Sequence, residues 1–412
     1  MSTQSQSSGL IPALAHWPAR LGISWLTAYT VLFLFSNGAR TILLAVLPLE
    51  ALERLGSAQA VSAMYVGVSI GGIAASLMLP AVVARLSVRG TFYAAATASC
   101  LAALLLTSGN LWLFMAGMVL YVAGGTGFEV ALSLYTMKLI PRKALMQVEP
   151  WRVLFCATSY CLGPWLGVYL GAHLASWAPY ALTLIVAAVA VTYFHLLGLT
   201  HISMERAGTG SNPLRHARRF VRQPRLRLAW LIAFSRSAWW AGFFIYAPIM
   251  AVSAGLDKVT AGAIVSLGVA TVLTVTLWGK LGRRIGLRRL LIGGFCVTGV
   301  VSVAIALMSL ALMSLAPLSL APLVLAGALV FAAACAASID GAGNVPFLRA
   351  VKPSERAEMA GVFGTFRDIA QLAPPLMAAG ILQFFPLPAV FAATGVGLWV
   401  TAAFCRYLPR RM

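Results

Sequence analysis

Six ionisable side chains stand inside otherwise apolar stretches of this 412-residue chain: Arg40, Glu129, Arg236, Asp340, Arg367 and Asp368. A charge at the centre of a membrane helix costs at least about 2.5 kcal/mol, so each of these groups must face a water-accessible cavity or a partner. Three bases against three acids suggest pairing. The chemistry open to such a set is the handling of protons and ions. An acid that holds its proton when its surroundings dry, and releases it when an arginine or cation approaches, couples the proton to a second charged species. Glu129 and Asp340 are the leading candidates for that role, and Asp368 is a third. The rival reading is a permanent ion pair with Arg236 or Arg367 that only holds helices together. Arg40 and Arg236 also read as binding groups for an anionic substrate. Asn37, three residues before Arg40, and Asn344, four after Asp340, would be hydrogen-bonding neighbours on the same helix faces.

Other groups add to this set. Trp239, Trp240 and Phe243 line a pocket for a flat amphipathic ligand, or simply pack. Arg367 and Asp368 are adjacent and point about 100° apart on a helix, so at most one faces a pore, and Arg367 reads as a gate or packing residue. Glu149 and Arg152 form an ExxR pair, and Glu355, Arg356 and Glu358 occupy the corresponding region of the second half. Metal and nucleophile chemistry have no comparable support. The six cysteines form no CxxC pair and the five histidines no HExxH, so no metal or cofactor is expected and a proton gradient is the expected driving force.

The elements that must position these groups are membrane helices. Hydrophobic residues make up 60% of the chain and charged residues 10%, with a mean hydropathy of +0.89; a soluble domain carries about 25% charged residues. Cutting apolar runs at charges, glycine and proline predicts twelve spans, since about 20 residues cross the hydrocarbon. They fall at 22–48, 58–83, 91–109, 111–138, 153–175, 177–199, 228–253, 259–279, 290–314, 322–346, 359–384 and 387–405. The fold class is therefore all-α integral membrane. The net charge of +20 does not point to nucleic acid, because 25 of the 30 basic residues fall in loops on one side, leaving only Arg54 and Lys258 on the other. Basic residues collect on the cytoplasmic side, which places both termini there. The first twenty residues lack the pattern of a cleaved signal peptide.

The long polar run His201–Arg227 carries seven arginines and one acid, Glu205. It divides the chain into a tail (1–21), a first bundle (22–200), a linker (201–227), a second bundle (228–405) and a tail (406–412). Internal repetition supports that division. A shift of 210 places Ala326 and Gly327 on Ala116 and Gly117, and Leu372-Ala373-Pro374 on Leu162-Gly163-Pro164; a shift of 199 places Arg284 and Arg288 on Arg85 and Arg89. Two six-helix copies in one orientation form a parallel repeat, an arrangement that places a substrate site near the midplane.

Twelve spans in six plus six, a basic linker and basic 2/3 and 8/9 loops resemble the major facilitator superfamily over essentially the whole chain. Its GxLaDRxGRRxxL loop pattern is matched by Gly279, Leu281, Arg284, Gly286, Arg288 and Leu291, and in the first half only by Arg85 and Arg89. The family's aspartate is replaced by Ala84 and Arg283, so another cytoplasmic latch is expected. The gate candidates are Arg85, Arg89, Glu149, Arg152, Arg284, Arg288, Glu355, Arg356 and Arg367. Gly163, Pro164 and Gly167 resemble the helix-5 pattern of antiporters in the family, although the helix-4 arginine common in drug and proton antiporters is absent. In the family, helices 1, 4, 7 and 10 line the cavity; Arg40, Glu129, Arg236 and Asp340 lie on those four.

The resemblance implies a secondary active transporter working by alternating access, and the reading favours proton-coupled export of a small amphipathic or anionic organic compound. Uptake by symport or facilitated diffusion is the alternative within transport, and a membrane-embedded enzyme or lipid-handling protein the alternative outside it. The expected setting is the lipid bilayer of a bacterial inner membrane, the expected state a monomer.

Overall fold

The computed structural model describes residues 24–140, 145–202, 213–314, 321–352 and 355–409, with no strand among them. The tail 1–21, linker residues 203–212 with Glu205, and the last residues 410–412 lie outside the described residues, as does the side chain of Arg356. The helices are α1 (Trp25–Thr41), α2 (Val46–Leu55), α3 (Ala58–Leu106), α4 (Leu111–Leu139), α5 (Leu145–His173), α6 (Ala178–Leu196), α7 (Pro213–Val221), α8 (Pro224–Ser253), α9 (Lys258–Ala270), α10 (Val275–Ile285), α11 (Leu287–Ser314), α12 (Ala321–Asp340), α13 (Val345–Ala350), α14 (Arg356–Gly364), α15 (Phe366–Ile381) and α16 (Pro388–Cys405).

Ten stretches among the described residues are long and apolar enough to cross a membrane. One of them, α3, has 49 residues, about 74 Å of helix, which is two crossings joined at a kink. The pair α14 and α15 supplies a further crossing, so the count comes to the twelve expected. Side chains fix the helix starts where the sequence offers caps. Asn110 Oδ1 accepts from the N–H groups of Trp112 (2.8 Å) and Leu113 (3.4 Å) at α4. Asp257 accepts from Thr260 N–H at α9, and the Thr260 hydroxyl and N–H hold its carboxyl below the usual carboxylate range.

The kink inside α3 lies at Ser87, with φ 67° and ψ 171°. Its counterpart after the 199-residue shift is Gly286, at φ 89° and ψ 145°, between α10 and α11. Both copies of the loop thus turn through positive φ, glycine doing so in one and serine in the other. Ser87 Oγ accepts from Gly90 N–H (3.4 Å), and its carbonyl accepts from the Thr91 hydroxyl (2.8 Å). A side chain in this region of φ/ψ space costs about 1–3 kcal/mol. Gly286→Ala is therefore expected to lower stability by about that amount; nothing stands within 4 Å of where its Cβ would go, so the loss reads backbone strain alone. Thermal unfolding in detergent measures it, and an unchanged midpoint would contradict the assignment.

By contacts the chain divides into two compact units, Met1–Leu44 with Gly71–Gly210, and Ala45–Ile70 with Ser211–Met412. The boundary differs from the sequence halves over Ala45–Ile70, which packs with the second unit. In the first unit, Phe92 stacks on Phe194 (centroids 4.2 Å) and meets Phe128 edge-on (5.0 Å). Phenols tie α1 to its neighbours: Tyr29 donates to Leu132 O (2.9 Å) and Tyr193 to Ala28 O (2.8 Å). In the second unit, Phe347 stacks on Phe363 (4.0 Å). Ser62 and Tyr246 share a hydrogen bond (2.8 Å), Ser69 donates to Gln371 O (3.2 Å), and Glu53 pairs with Lys258. These last contacts explain why residues 45–70 belong to that unit.

Candidate functional site

Two membrane helices that the sequence reads as continuous are broken, and both breaks follow a charged residue. The first span stops at Thr41, beside Arg40, and resumes as α2 at Val46; the tenth stops at Asp340 and resumes as α13 at Val345. Proline accounts for both. Pro48 and Pro346 sit in the first turns of α2 and α13, where no amide hydrogen is needed, and their rings exclude helix through the residues four earlier, Leu44 and Ala342.

A broken helix leaves carbonyls without amide partners, and in a membrane these must be satisfied from elsewhere. In the first unit the Tyr121 hydroxyl on α4 donates to the carbonyl of Arg40 (2.6 Å). In the second the Arg236 guanidinium on α8 donates to the carbonyl of Asp340 (3.3 Å). Each arginine crosses a glycine: a Cβ on Gly125 would lie 2.9 Å from Arg40 Cδ, and one on Gly343 3.0 Å from Arg236 Cδ.

In the first unit, the Tyr160 and Tyr121 phenols and the Glu129 carboxylate lie in the neighbourhood of the Arg40 guanidinium. Glu129 also acts on Arg152 and Cys156. It stands at an exposed position of α4, on the side of Arg40 and Arg152. Arg152 forms a two-point pair with Glu149, one arm of it Nε to Oε2 at 2.8 Å, and lies over the Phe33 ring (5.4 Å to the centroid). Asn37 donates to Phe33 O (2.8 Å) and contacts Cys156 Sγ (3.5 Å), so its amide is used in joining α1 to α5.

The helix-5 glycine explains how α5 comes so near. A Cβ on Gly163 would lie 2.8 Å from the carbonyl carbon of Thr41 and closer still to its hydroxyl. Four residues earlier, Ser159 donates to Leu34 O (2.7 Å). Pro164 and Gly167 are buried on the same helix. Among the described residues, Ser36 and Thr41 are buried hydroxyls without a hydrogen-bond partner.

In the second unit, Asp340 Oδ1 faces Arg236 Nε at 3.7 Å, and Oδ2 accepts from Trp240 Nε1 at 3.0 Å. Arg236 and Asp340 are 15% and 16% exposed, and Arg367 adds a like charge within reach of Arg236. Arg367 also lies 5.9 Å from the Phe366 centroid, while Asp368 sits in the first turn of α15, where a carboxylate suits the helix dipole.

Two sequence expectations change here, and a third gains its partners. Trp239 and Phe243 are 4% and 2% exposed; Trp239 donates to Ser302 Oγ (3.2 Å) and stacks on Phe243 (5.2 Å), so they build the core of the second unit and leave Trp240 as the aromatic at the carboxylate. Asn344 would share a face with Asp340 only on unbroken helix; the break puts it at the N-cap of α13, making no cap bond. Glu355 and Glu358 are engaged by the linker helix α7, with Arg219 at 2.6 Å from Glu355 and His216 at 3.4 Å from Glu358.

The remaining gate candidates lie apart from both clusters. Arg89 donates to Thr200 O (2.9 Å), and Arg85 and Arg284 are exposed and Arg288 half-buried. The groups that the sequence reading passed over are Tyr121, Tyr160 and Gly125. Tyr121 alone carried a signal, a phenol on an apolar helix that needs a polar partner.

The family model described as Major Facilitator Superfamily matches residues 29–328. No curated protein matches the chain. Among solved structures it is similar to a POT family transporter in complex with a thioalcohol-conjugated peptide, at 14% identity, 97% of this chain, 98% of that chain and a TM-score of 0.70. A mutant of the nucleoside transporter NupG matches at 13% identity over 94% of this chain and 100% of its own, with a TM-score of 0.74. A bacterial homologue of the iron transporter ferroportin matches at 15% identity over 93% and 97%, with a TM-score of 0.64. At these identities the likeness is one of fold.

Proposed function

Since the chain belongs to the Major Facilitator Superfamily and is a secondary transporter of that type, we propose that it exports a small organic compound, amphipathic or anionic, in exchange for protons. The observation that carries this reading is the setting of Asp340. Its carboxylate stands at a helix break, held by one indole N–H and by an arginine that lies 3.7 Å from one oxygen while donating to the residue's own carbonyl. A proton on that carboxyl replaces the attraction of Arg236, and the guanidinium is then available to an anionic group of the cargo. Glu129, on the side of α4 toward Arg40 and Arg152, supplies the second exchangeable acid. Export in place of uptake rests on Gly163, Pro164 and Gly167, the pattern found in antiporters of the family.

The same reading places the protein in a bacterial inner membrane as a monomer, with both termini cytoplasmic, in keeping with the one-sided distribution of basic residues. Arginine–glutamate pairs at the entry to α5 and at α7 and α14 then serve as cytoplasmic latches.

The test is flux in proteoliposomes under an imposed pH gradient, using as cargo the compound that most raises the melting temperature in a metabolite and drug library. Export should be driven by protons moving the other way. Asp340→Asn and Glu129→Gln should each remove the pH dependence while the protein stays folded. Cargo and protons moving together would establish uptake by symport instead. Unaltered coupling in both variants would overturn the choice of proton carriers.

A further inference from the structure

On the α10 side of the α12 break, the second unit has a cavity of about 420 Å³ where α10, α11, α12 and α13 meet, its wall including Gly341 and Ala342 just after Asp340. Arg283 from the last turn of α10 and Arg349 from α13 line it, together with the Gly286 turn. Among the described residues, no acidic side chain contributes to its wall. It shares the wall residues Trp278, Leu290 and Ser338 with an adjoining groove of about 330 Å³. That groove is walled by Leu281, Ile285, Val297 and Phe331, with Arg289 at its edge. These four apolar residues are 37%, 38%, 49% and 59% exposed, an apolar face of the kind that meets lipid chains.

The carboxylates nearest in sequence are engaged elsewhere, Asp340 with Arg236 and Trp240, Glu355 with Arg219 and Glu358 with His216. The residue at position 283 is also the one where the family pattern has its aspartate, so the cavity carries positive charge where relatives carry negative.

We infer that this cavity and groove form a site for one anionic phospholipid: the headgroup phosphate lies between Arg283 and Arg349, and an acyl chain lies along the groove beside Trp278 and Phe331. Two guanidiniums recognise a phosphodiester by paired hydrogen bonds as well as by charge, and basic pockets between membrane helices are suited to such headgroups. The apolar groove selects the lipid over a free phosphate, because only a molecule with both parts fills both spaces. The inference is independent of the direction of transport.

The full chain in a neutral detergent, titrated with phosphatidylglycerol and with phosphatidylcholine of the same acyl chains, tests this through the rise in thermal midpoint. Phosphatidylglycerol should saturate a site that phosphatidylcholine fills at least tenfold more weakly. Arg283→Gln with Arg349→Gln should weaken phosphatidylglycerol about 25-fold, at about fivefold per guanidinium, and leave phosphatidylcholine unchanged. Gly293→Phe projects into open space in the groove; it should keep the midpoint in detergent alone and weaken both lipids. Equal affinity for the two lipids, undiminished binding of phosphatidylglycerol in the arginine variant, or the same midpoint rise with inorganic phosphate alone would each overturn the proposal.

Discussion

Arg236→Met is expected to cost about 3–5 kcal/mol of stability, because it leaves the largely buried Asp340 carboxylate without the cation it pairs with. The expected loss is large because Arg236 does two things at once. It faces Asp340 Oδ1 and it donates to the Asp340 carbonyl exposed by the break between α12 and α13. Methionine supplies neither. Asp340→Asn alone leaves Arg236 without its counter-charge but should cost less, since the amide keeps an acceptor for Trp240 Nε1 and the guanidinium keeps its bond to the residue's carbonyl. The double variant should recover part of the loss, giving a coupling energy of about 1–3 kcal/mol in a mutant cycle. Thermal unfolding of the four proteins in one detergent measures this. Additive losses would mean that the two side chains do not support one another.

The second large effect belongs to Gly163. Alanine there would bring its Cβ to about 2.8 Å from the Thr41 carbonyl carbon, so α5 must retreat from α1 just where Arg40 is held. Overpacking of this kind costs about 1–3 kcal/mol and sometimes more, and it shifts the backbone carrying Arg40. Both the melting temperature and transport should therefore fall. Thr41→Ala should rescue only the part due to the hydroxyl, because the backbone contact remains. Gly171, on the same helix, is the control: its nearest neighbour to a Cβ is Pro179 at 3.7 Å, so Gly171→Ala should be neutral or slightly stabilising, as helix propensity favours alanine. Equal losses at the two positions would show that α5 tolerates no side chain on principle, and that the Thr41 contact is not special.

The division between what was legible and what was not follows the range of the forces involved. Apolar length and the one-sided placement of arginine and lysine are local and additive, and they determined from sequence alone the membrane setting, the twelve crossings and the duplicated plan. The charged residues on the first, fourth, seventh and tenth spans were legible for the same reason: a charge in hydrocarbon is costly wherever it lies, so its presence marks a site before any partner is known.

Partnership was the part that sequence could not supply. Counting along an unbroken helix put Asn344 on the face of Asp340, but Pro346 breaks that helix between them. Helical spacing grouped Trp239, Trp240 and Phe243 together, yet neighbouring residues on a helix point about 100° apart, and packing against Ser302 sent Trp239 and Phe243 inward while Trp240 met the carboxylate. The roles of Tyr121, of Gly125 beneath Arg40 and of Gly343 beneath Arg236 depend on which helices lie side by side. The sequence by itself determined that charge is buried in this membrane protein and on which helices. Only the tertiary structure decided which group answers each charge, because a hydrogen bond or a glycine contact acts over a few ångströms between residues far apart in the chain, and no periodicity records it.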